Sequence, residues 1–208
     1  MNEADAKARL DVPRETIERL EAFEALLRDE NERQNLVSRG SLDAFWERHI
    51  LDSAQLARFA SQDARRWLDL GTGAGFPGLI LPLFHPAEAV LVESRKLRVD
   101  FLRTAASVLG IAAKVEILCT RLQALPARPF DVITARAFAP LPKLLGLAER
   151  FSTGETVWIL PKGRNAKSEL EAARSSWQGD FRLEPSLTDA EAQIVVATRV
   201  RRKPRGRS

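Results

Sequence analysis

The chain of 208 residues contains no tyrosine, one methionine, one cysteine and two histidines. Because Cys119 is alone, an internal disulfide is excluded, and the low cysteine usage suits a reducing cytoplasm, the location expected here. One cysteine and two histidines also argue against a zinc site of Cys/His type, so no metal is expected. Nowhere does an apolar run approach the roughly 20 residues that a membrane-crossing helix needs. The opening Met1-Asn-Glu-Ala-Asp-Ala-Lys7 is too charged to read as a secretion signal. What is present is an ordinary globular composition, 45% hydrophobic and 29% charged, in a chain long enough for one sizeable core.

The net charge of +4 is unevenly spread. Arg199, Arg201, Arg202, Lys203, Arg205 and Arg207 crowd into the last ten residues without an acid among them. Removing those six from the 32 basic residues leaves 26 against 28 acidic ones, a body of −2. A basic tail on a near-neutral body suits a polyanion such as RNA, and equally describes a solvated, frayed end.

Residues 13–60 read as helical. Ile17, Leu20, Phe23, Leu26 and Leu27 recur at steps of three and four. Gly40 breaks the pattern, and Ser41 is the expected cap of a second helix carrying Phe45, Trp46, Ile50 and Leu56. From Trp67 the texture changes to short apolar runs, Trp67–Leu70, Val90–Glu93, Val115–Leu118, Phe130–Ala135 and Val157–Leu160, separated by segments long enough for crossover helices. That alternation predicts a parallel sheet covered on both faces. Phe181–Leu183 and Ile194–Val200 follow without a clear helix between them and predict a closing antiparallel hairpin. Ligands of such sheets bind beyond the carboxyl ends of the strands, which groups Asp69 to Phe76, Glu93, Arg121 to Gln123, Arg136 and Lys162 into one candidate site.

The most informative stretch is Trp67-Leu-Asp-Leu-Gly-Thr-Gly-Ala-Gly-Phe-Pro-Gly78, a strand ending in an acid and opening into glycines. Glycines at 71, 73 and 75 permit torsions and a ligand approach that a Cβ would forbid. A dinucleotide fingerprint starting at Gly71 needs a third glycine at 76, where Phe76 stands, and a phosphate-gripping loop needs a lysine that is absent. The acid, one residue and G-x-G-x-G that remain resemble the first motif of class I S-adenosylmethionine methyltransferases; a glycine-rich turn that merely joins a strand to a helix is the alternative. That cofactor carries no phosphate and needs an open glycine turn with nearby carboxylates. Asp69 and Glu93 supply them, the latter 22 positions beyond Gly71, where an acid accepts from ribose hydroxyls.

The remaining candidates are less specific. Leu122 and Gln123 follow the third strand, on the adenine side of such a site; Gln123 also reads as plain loop. Arg136 ends the fourth strand, the acceptor side, and suits an RNA phosphate, a guanine edge or the cofactor's carboxylate; a surface ion pair is the alternative. The N/D-P-P-Y motif of amino-group methylation is excluded there by the absence of tyrosine. Cys119 sits on the wrong strand for cytosine chemistry. Lys162 and Arg164 read as phosphate contacts or as a basic turn, and His49, with no partner visible, as a structural histidine.

Asn35-Leu-Val-Ser38, Arg48-His-Ile-Leu-Asp-Ser53, Asp69 to Gly78, Arg136-Ala-Phe-Ala139 and Pro161-Lys-Gly163 together resemble the glucose-inhibited division protein B family of small-subunit ribosomal RNA methyltransferases, over roughly residues 15 to 165. The resemblance implies a class I S-adenosylmethionine-dependent methyltransferase fold: α/β, Rossmann-like, a mostly parallel seven-stranded sheet with helices on both faces. It would comprise an N-terminal helical extension (1–62), a methyltransferase domain (63–200) and a basic tail (201–208). It implies methylation of N7 of guanine 527 in 16S rRNA, with S-adenosylmethionine held by Asp69, Gly71, Gly73, Phe76, Glu93, Leu122, Gln123 and Arg136. Phe76 or Phe138 would support an unstacked base, simple packing being the alternative for both. RNA contacts are expected from Lys162, Arg164, Arg201, Arg202 and Lys203, the tail from charge rather than from the resemblance. The implied partner is 16S rRNA or the 30S subunit, met by a monomer. A cofactor-binding RNA-interaction protein without activity is the competing class.

Overall fold

The computed structural model describes residues 2–204. A short α1 (Glu3–Ala8) precedes α2 (Arg14–Gln34), whose buried stripe is Leu20, Phe23, Leu27 and Asn31. Asn35 ends α2 in the left-handed conformation, one that asparagine tolerates better than most residues. Buried Asn31 then ties the turn, its amide donating to the Val37 carbonyl and its oxygen accepting from the Val37 N–H. Ser38, and not Ser41, caps α3 (Arg39–Asp43), accepting from the Ser41 N–H. Gly40 lies inside that helix, so the break expected at Gly40 falls at Asn35 instead. The chain continues through a widened π-helical segment, Trp46–Leu51, then α4 (Asp52–Ala54) and a 3₁₀ turn, Gln55–Phe59.

Seven strands follow: β1 (Arg66–Leu70), β2 (Glu88–Glu93), β3 (Val115–Cys119), β4 (Val132–Thr134), β5 (Val157–Gly163), β6 (Trp177–Pro185) and β7 (Gln193–Arg202). They form one sheet in the order β3-β2-β1-β4-β5-β7-β6. Strands β1 to β5 are parallel, and β7 inserts antiparallel between β5 and β6. The expected sheet and closing hairpin are both present.

Not every expected crossover is a helix. The connection from β1 to β2 is a series of turns ending in the four-residue α5 (Leu81–Phe84), because glycines and Pro77 occupy its first half. From β3 to β4 there is only a 3₁₀ turn, Leu122–Ala124, in a segment interrupted by Pro126 and Pro129. Full helices connect the other strands: α6 (Lys96–Val108), α7 (Leu141–Ala148) and α8 (Ala166–Arg174).

Alternation along the strands sends side chains to two cores. Trp67, Ala89 and Leu91 pack with α1, α2, the π-helical segment and α6; Leu68, Leu70, Val90 and Val92 pack with α7 and α8. The N-terminal helices therefore complete the first core rather than sitting apart from it. The chain order reverses around β1, which lies between β2 and β4, and ligands of open α/β sheets bind beyond the strand ends at such a reversal.

Candidate functional site

The glycine loop leaves β1 with Gly71, Gly73 and Gly75 all at positive φ. It is pinned from both sides: the N–H groups of Gly71 and Thr72 donate to the Val92 carbonyl of β2. Asp69 holds it from within. The carboxylate is 1% exposed and accepts from the Thr134 hydroxyl (2.8 Å), the Thr72 hydroxyl (2.5 Å) and the Gly78 N–H (3.1 Å). A Cβ at Gly78 would lie 2.7 Å from that carboxylate, which accounts for a glycine there. Burial raises the Asp69 pKa, and the three hydrogen bonds and the Arg136 charge pull it back.

Glu93 ends β2, 6% exposed. Its Oε1 accepts from the N–H groups of Ser94 (2.7 Å) and Arg95 (2.8 Å), which fixes the side chain against the start of α6. Its Oε2 lies 3.7 Å from the Arg98 guanidinium, itself beside Gly73. Beyond the edge strand β3, Leu122 is buried and Gln123 exposed in the 3₁₀ turn.

Arg136 is the hub on the other side of the loop. Nη1 donates to the Arg48 carbonyl (3.0 Å) and lies 3.6 Å from Asp52 Oδ2, while Nη2 donates to His49 Nδ1 (3.1 Å). The guanidinium sits 5.0 Å from the centre of the Phe76 ring, and the His49 ring stacks on Phe76 at 4.6 Å and 19°. Because a guanidinium only donates, His49 Nδ1 is an acceptor and a neutral ring carries its proton on Nε2. Burial, then the charges of Arg136 and Arg48, push the His49 pKa down to about 3, so the ring is neutral. Nε2 is buried and finds no hydrogen-bond partner among the described residues, a situation that costs about 1–3 kcal/mol. Burial also lowers the Arg136 pKa, opposed by the charges of Asp52 and Asp69. Ala137 turns left-handed (φ 51°) right after Arg136, and the Phe138 ring lies over Gly71, 2.5 Å from where a Cβ would be.

A cleft of about 730 Å³ opens beside this hub. Arg48, Asp52 and Arg136 form one wall, Phe138 and Lys162 another, and the β6–β7 loop at Thr188 and Asp189 the rim. That loop is stitched to the N-terminal helices: Leu187 N–H donates to Gln55 Oε1 (2.9 Å), Gln55 Nε2 to Ser186 Oγ (3.2 Å) and Thr188 Oγ1 to Asp52 Oδ1 (2.8 Å). A glycine cradle with an acid at the end of β2 thus lies next to a cleft whose lining includes Arg48, Arg136 and Lys162 together with Asp52, Glu169 and Asp189.

Comparison with known proteins settles the kinship. Residues 16–194 match the model of the GidB family, described as rRNA small subunit methyltransferase G. The chain belongs to the GidB family. A Ribosomal RNA small subunit methyltransferase G of Rhizorhabdus wittichii is 52% identical, covering 100% of this chain and 96% of its own length. One of Zymomonas mobilis is 49% identical, covering 92% and 90%. Among solved structures, an O-methyltransferase from Bacillus cereus in complex with SAH superposes with a TM-score of 0.59 at 16% identity, covering 85% of this chain and 90% of its own. The O-methyltransferase TomG from Streptomyces achromogenes, in complex with SAM, gives 0.57 at 16%, covering 84% and 87%. These show the class I methyltransferase fold. The GidB match runs past residue 165, where the resemblance was expected to fade, to the start of β7.

Against this GidB scaffold the individual expectations divide. Gly71, Gly73, Glu93, Leu122 and Gln123 lie at the carboxyl ends of β1 to β3, and Arg136 follows the carboxyl end of the neighbouring β4. Asp69 does not face a ligand: its oxygens are spent inside the loop, which it braces. The Phe76 ring, 3% exposed, packs among Phe23, Phe45 and His49, so it cannot support an unstacked base; Phe138 borders the cleft. Lys162 is 7% exposed, paired with Glu169 at 3.0 Å and donating to the Ala139 carbonyl, so it braces the cleft wall rather than offering a free charge. Arg164 stands 74% exposed just after β5, paired with Glu191 and outside the cleft lining. Arg201 and Arg202 belong to β7 and not to a frayed tail. Arg202 meets Glu149 and the Trp177 ring, and the Lys203 ammonium donates to the Arg174 carbonyl. All three lie at the end of the sheet opposite the glycine loop; Arg205 and Arg207 are outside the described residues. Arg98 and His49 are the site neighbours that sequence reading missed. Arg98 was legible as the residue one helical turn into α6; nothing in the sequence joins His49 to Arg136, 87 positions away.

Proposed function

We propose that this protein transfers the methyl group of S-adenosylmethionine to N7 of a guanine, guanine 527 of 16S rRNA. S-adenosylmethionine-dependent methylation of small-subunit rRNA is the activity of its family; the base and atom are the finer reading. The observation that carries it is that the polar groups of the site are already paired with one another. His49 is neutral, with its one free lone pair already engaged by Arg136. Asp52 faces Arg136 and accepts from Thr188, and Glu169 is paired with Lys162. Among these paired groups none is left free to take a proton from the acceptor. Guanine N7 needs none removed: it is an acceptor with a lone pair on the major-groove edge.

The residues fit the cofactor in kind. Left-handed Gly71 and Gly73 open the loop, and Glu93 Oε2, with Oε1 occupied by Ser94 and Arg95, is left to accept from ribose hydroxyls. Leu122 and Gln123 are assigned to the adenine side. When bound, S-adenosylmethionine supplies an electrophilic methyl on a sulfonium. The chain's own task is then orientation: Arg136, braced from three sides, fixes where the guanine stands, and Arg48 and Arg164 meet flanking phosphates. Orientation of this kind contributes about 7–11 kcal/mol to a barrier. Arg201, at the far end of the sheet, would serve a second RNA contact. The enzyme acts as a monomer in the cytoplasm.

Arg136→Ala tests this reading. Methyl transfer from labelled S-adenosylmethionine to under-modified 30S subunits should fall about 100-fold, the scale of a 1 Å misplacement, with the label at guanine N7 in the parent reaction. Arg136→Lys should rescue only partly, since a point charge does not replace a planar fork. Parental transfer by Arg136→Ala, or label on another atom, would overturn it.

A further inference from the structure

Sequence reading makes His49 a core histidine. Its surroundings are those of a working part. It belongs to a π-helical segment, a rare geometry that recurs at functional sites. Its ring is 4% exposed, stacked on the glycine-loop residue Phe76, and its Nδ1 receives the Arg136 guanidinium. Two further groups of the same stretch, the Arg48 carbonyl and the Asp52 carboxylate, take the other arm of that guanidinium. The stretch Arg48 to Asp52 is therefore a socket for Arg136, and His49 is the one member that also touches the cofactor loop.

We propose that His49 is a positioning residue for methyl transfer: its unprotonated Nδ1 sets the plane of the Arg136 fork while its ring holds Phe76, so that the acceptor-side arginine and the glycine loop are kept in one register. This rests on the methyltransferase reading above. The required form is the neutral Nε2–H tautomer, the one the hydrogen bond from Arg136 dictates. A protonated His49 would present a donor to a donor and drive Arg136 out of its socket. A structural histidine would need only its volume and its stacking face.

That difference gives opposite rank orders for two substitutions. His49→Phe keeps the ring, its packing and its stacking on Phe76 but loses the acceptor. His49→Asn loses the ring but keeps a carbonyl oxygen close to the Nδ1 position. If His49 positions Arg136, transfer to under-modified 30S subunits falls about 100-fold in kcat/KM for His49→Phe. His49→Asn stays within about tenfold of the parent although it melts lower. In the Arg136→Ala background the two substitutions become equivalent, as contacts acting through one residue do in a double-mutant cycle. Transfer that follows the melting order, Phe above Asn, or parental transfer by His49→Phe, overturns the proposal. A second readout does not depend on activity: nitrogen-15 spectra of the histidine rings in the parent at pH 7 should show His49 protonated on Nε2, and the Nδ1–H form or a cation would overturn the proposal as well. If the parent fails to methylate 30S subunits at all, the rRNA reading falls, while the tautomer still decides how His49 and Arg136 are joined.

Discussion

The two faces of the sheet are covered by different means. Crossover helices α7 and α8 cover one, in a core of aliphatic side chains with Phe130, Phe151, Trp158 and Trp177. N-terminal helices cover much of the other, in a core holding Phe23, Phe45, Trp46, Phe76 and Phe101. The first core adjoins the Lys162–Glu169 pair, and the second adjoins a denser set of buried charges. His49, Arg136 and Asp69, three groups whose pKa values burial displaces, all gather where it meets the glycine loop. The first face is held mainly by apolar area with the Lys162–Glu169 pair at its edge, while the second carries more buried polar groups whose cost is met by a specific arrangement. Stability and orientation are thus unequally divided between the faces, and substitutions should separate them.

The largest expected effect is a matched pair. Trp158→Ala on the apolar face and Phe23→Ala on the aromatic face both remove fully buried rings and should each cost about 3–5 kcal/mol of stability, read by denaturant unfolding. The two should differ in activity per folded molecule. Phe23 packs against Phe76 at 5.7 Å and through it against His49, so Phe23→Ala should also lower methyl transfer, whereas Trp158→Ala should not. Equal specific activities would erase the functional distinction between the faces.

Next comes Glu93→Ala, at the ligand side of the loop. Losing one or two charge-assisted hydrogen bonds of about 1.5–3 kcal/mol each should weaken S-adenosylmethionine binding by at least tenfold in calorimetry, with little loss of folding stability. Unchanged affinity would remove Glu93 from the site.

The last expected effect is in pH dependence. His49 has its ordinary pKa of 6.5 in the unfolded chain and about 3 in the folded one. Below pH 6.5 the unfolded state binds a proton that the folded state refuses. The stability present above 6.5 is therefore lost progressively as the pH falls toward 3. Asp69 acts in the opposite sense: its raised pKa makes the folded state hold a proton longer than the unfolded state as the pH rises above 3.8. His49→Phe should flatten the loss between pH 6 and 4 in thermal melts, and Trp158→Ala should leave its slope unchanged. Identical slopes in the parent and His49→Phe would mean that His49 is not held neutral by the fold.

Legibility in the sequence followed the same division. The apolar runs named all seven strands, because alternation and β-branched side chains are local signals. The glycine loop was readable for the same reason: its conformation is written in consecutive residues. What could not be read were the partners of polar groups. Asp69 looked like a ligand because an acid before G-x-G-x-G is equally suited to bracing the loop, and only the positions of Thr134 and Gly78 decide between the two. Lys162 looked free because Glu169, seven residues on, comes into reach only once β5 turns into α8. Arg201 and Arg202 looked like tail because charge outweighed a strand signal that in fact continues to Arg202.

The stitching of the β6–β7 loop to the N-terminal helices bears on how the molecule is made. Its hydrogen bonds join Asp52, Gln55 and Arg58 to residues 185–188, pairs 127 to 136 positions apart. Synthesis runs from the N-terminus, so the glycine loop and β1 to β5 emerge while one side of the cleft is still missing. The rim closes only after residues 185–188 have emerged. A nascent chain thus holds the glycine-loop residues before its cleft is complete, and a chain truncated before β6 would keep the loop with one side of the cleft open.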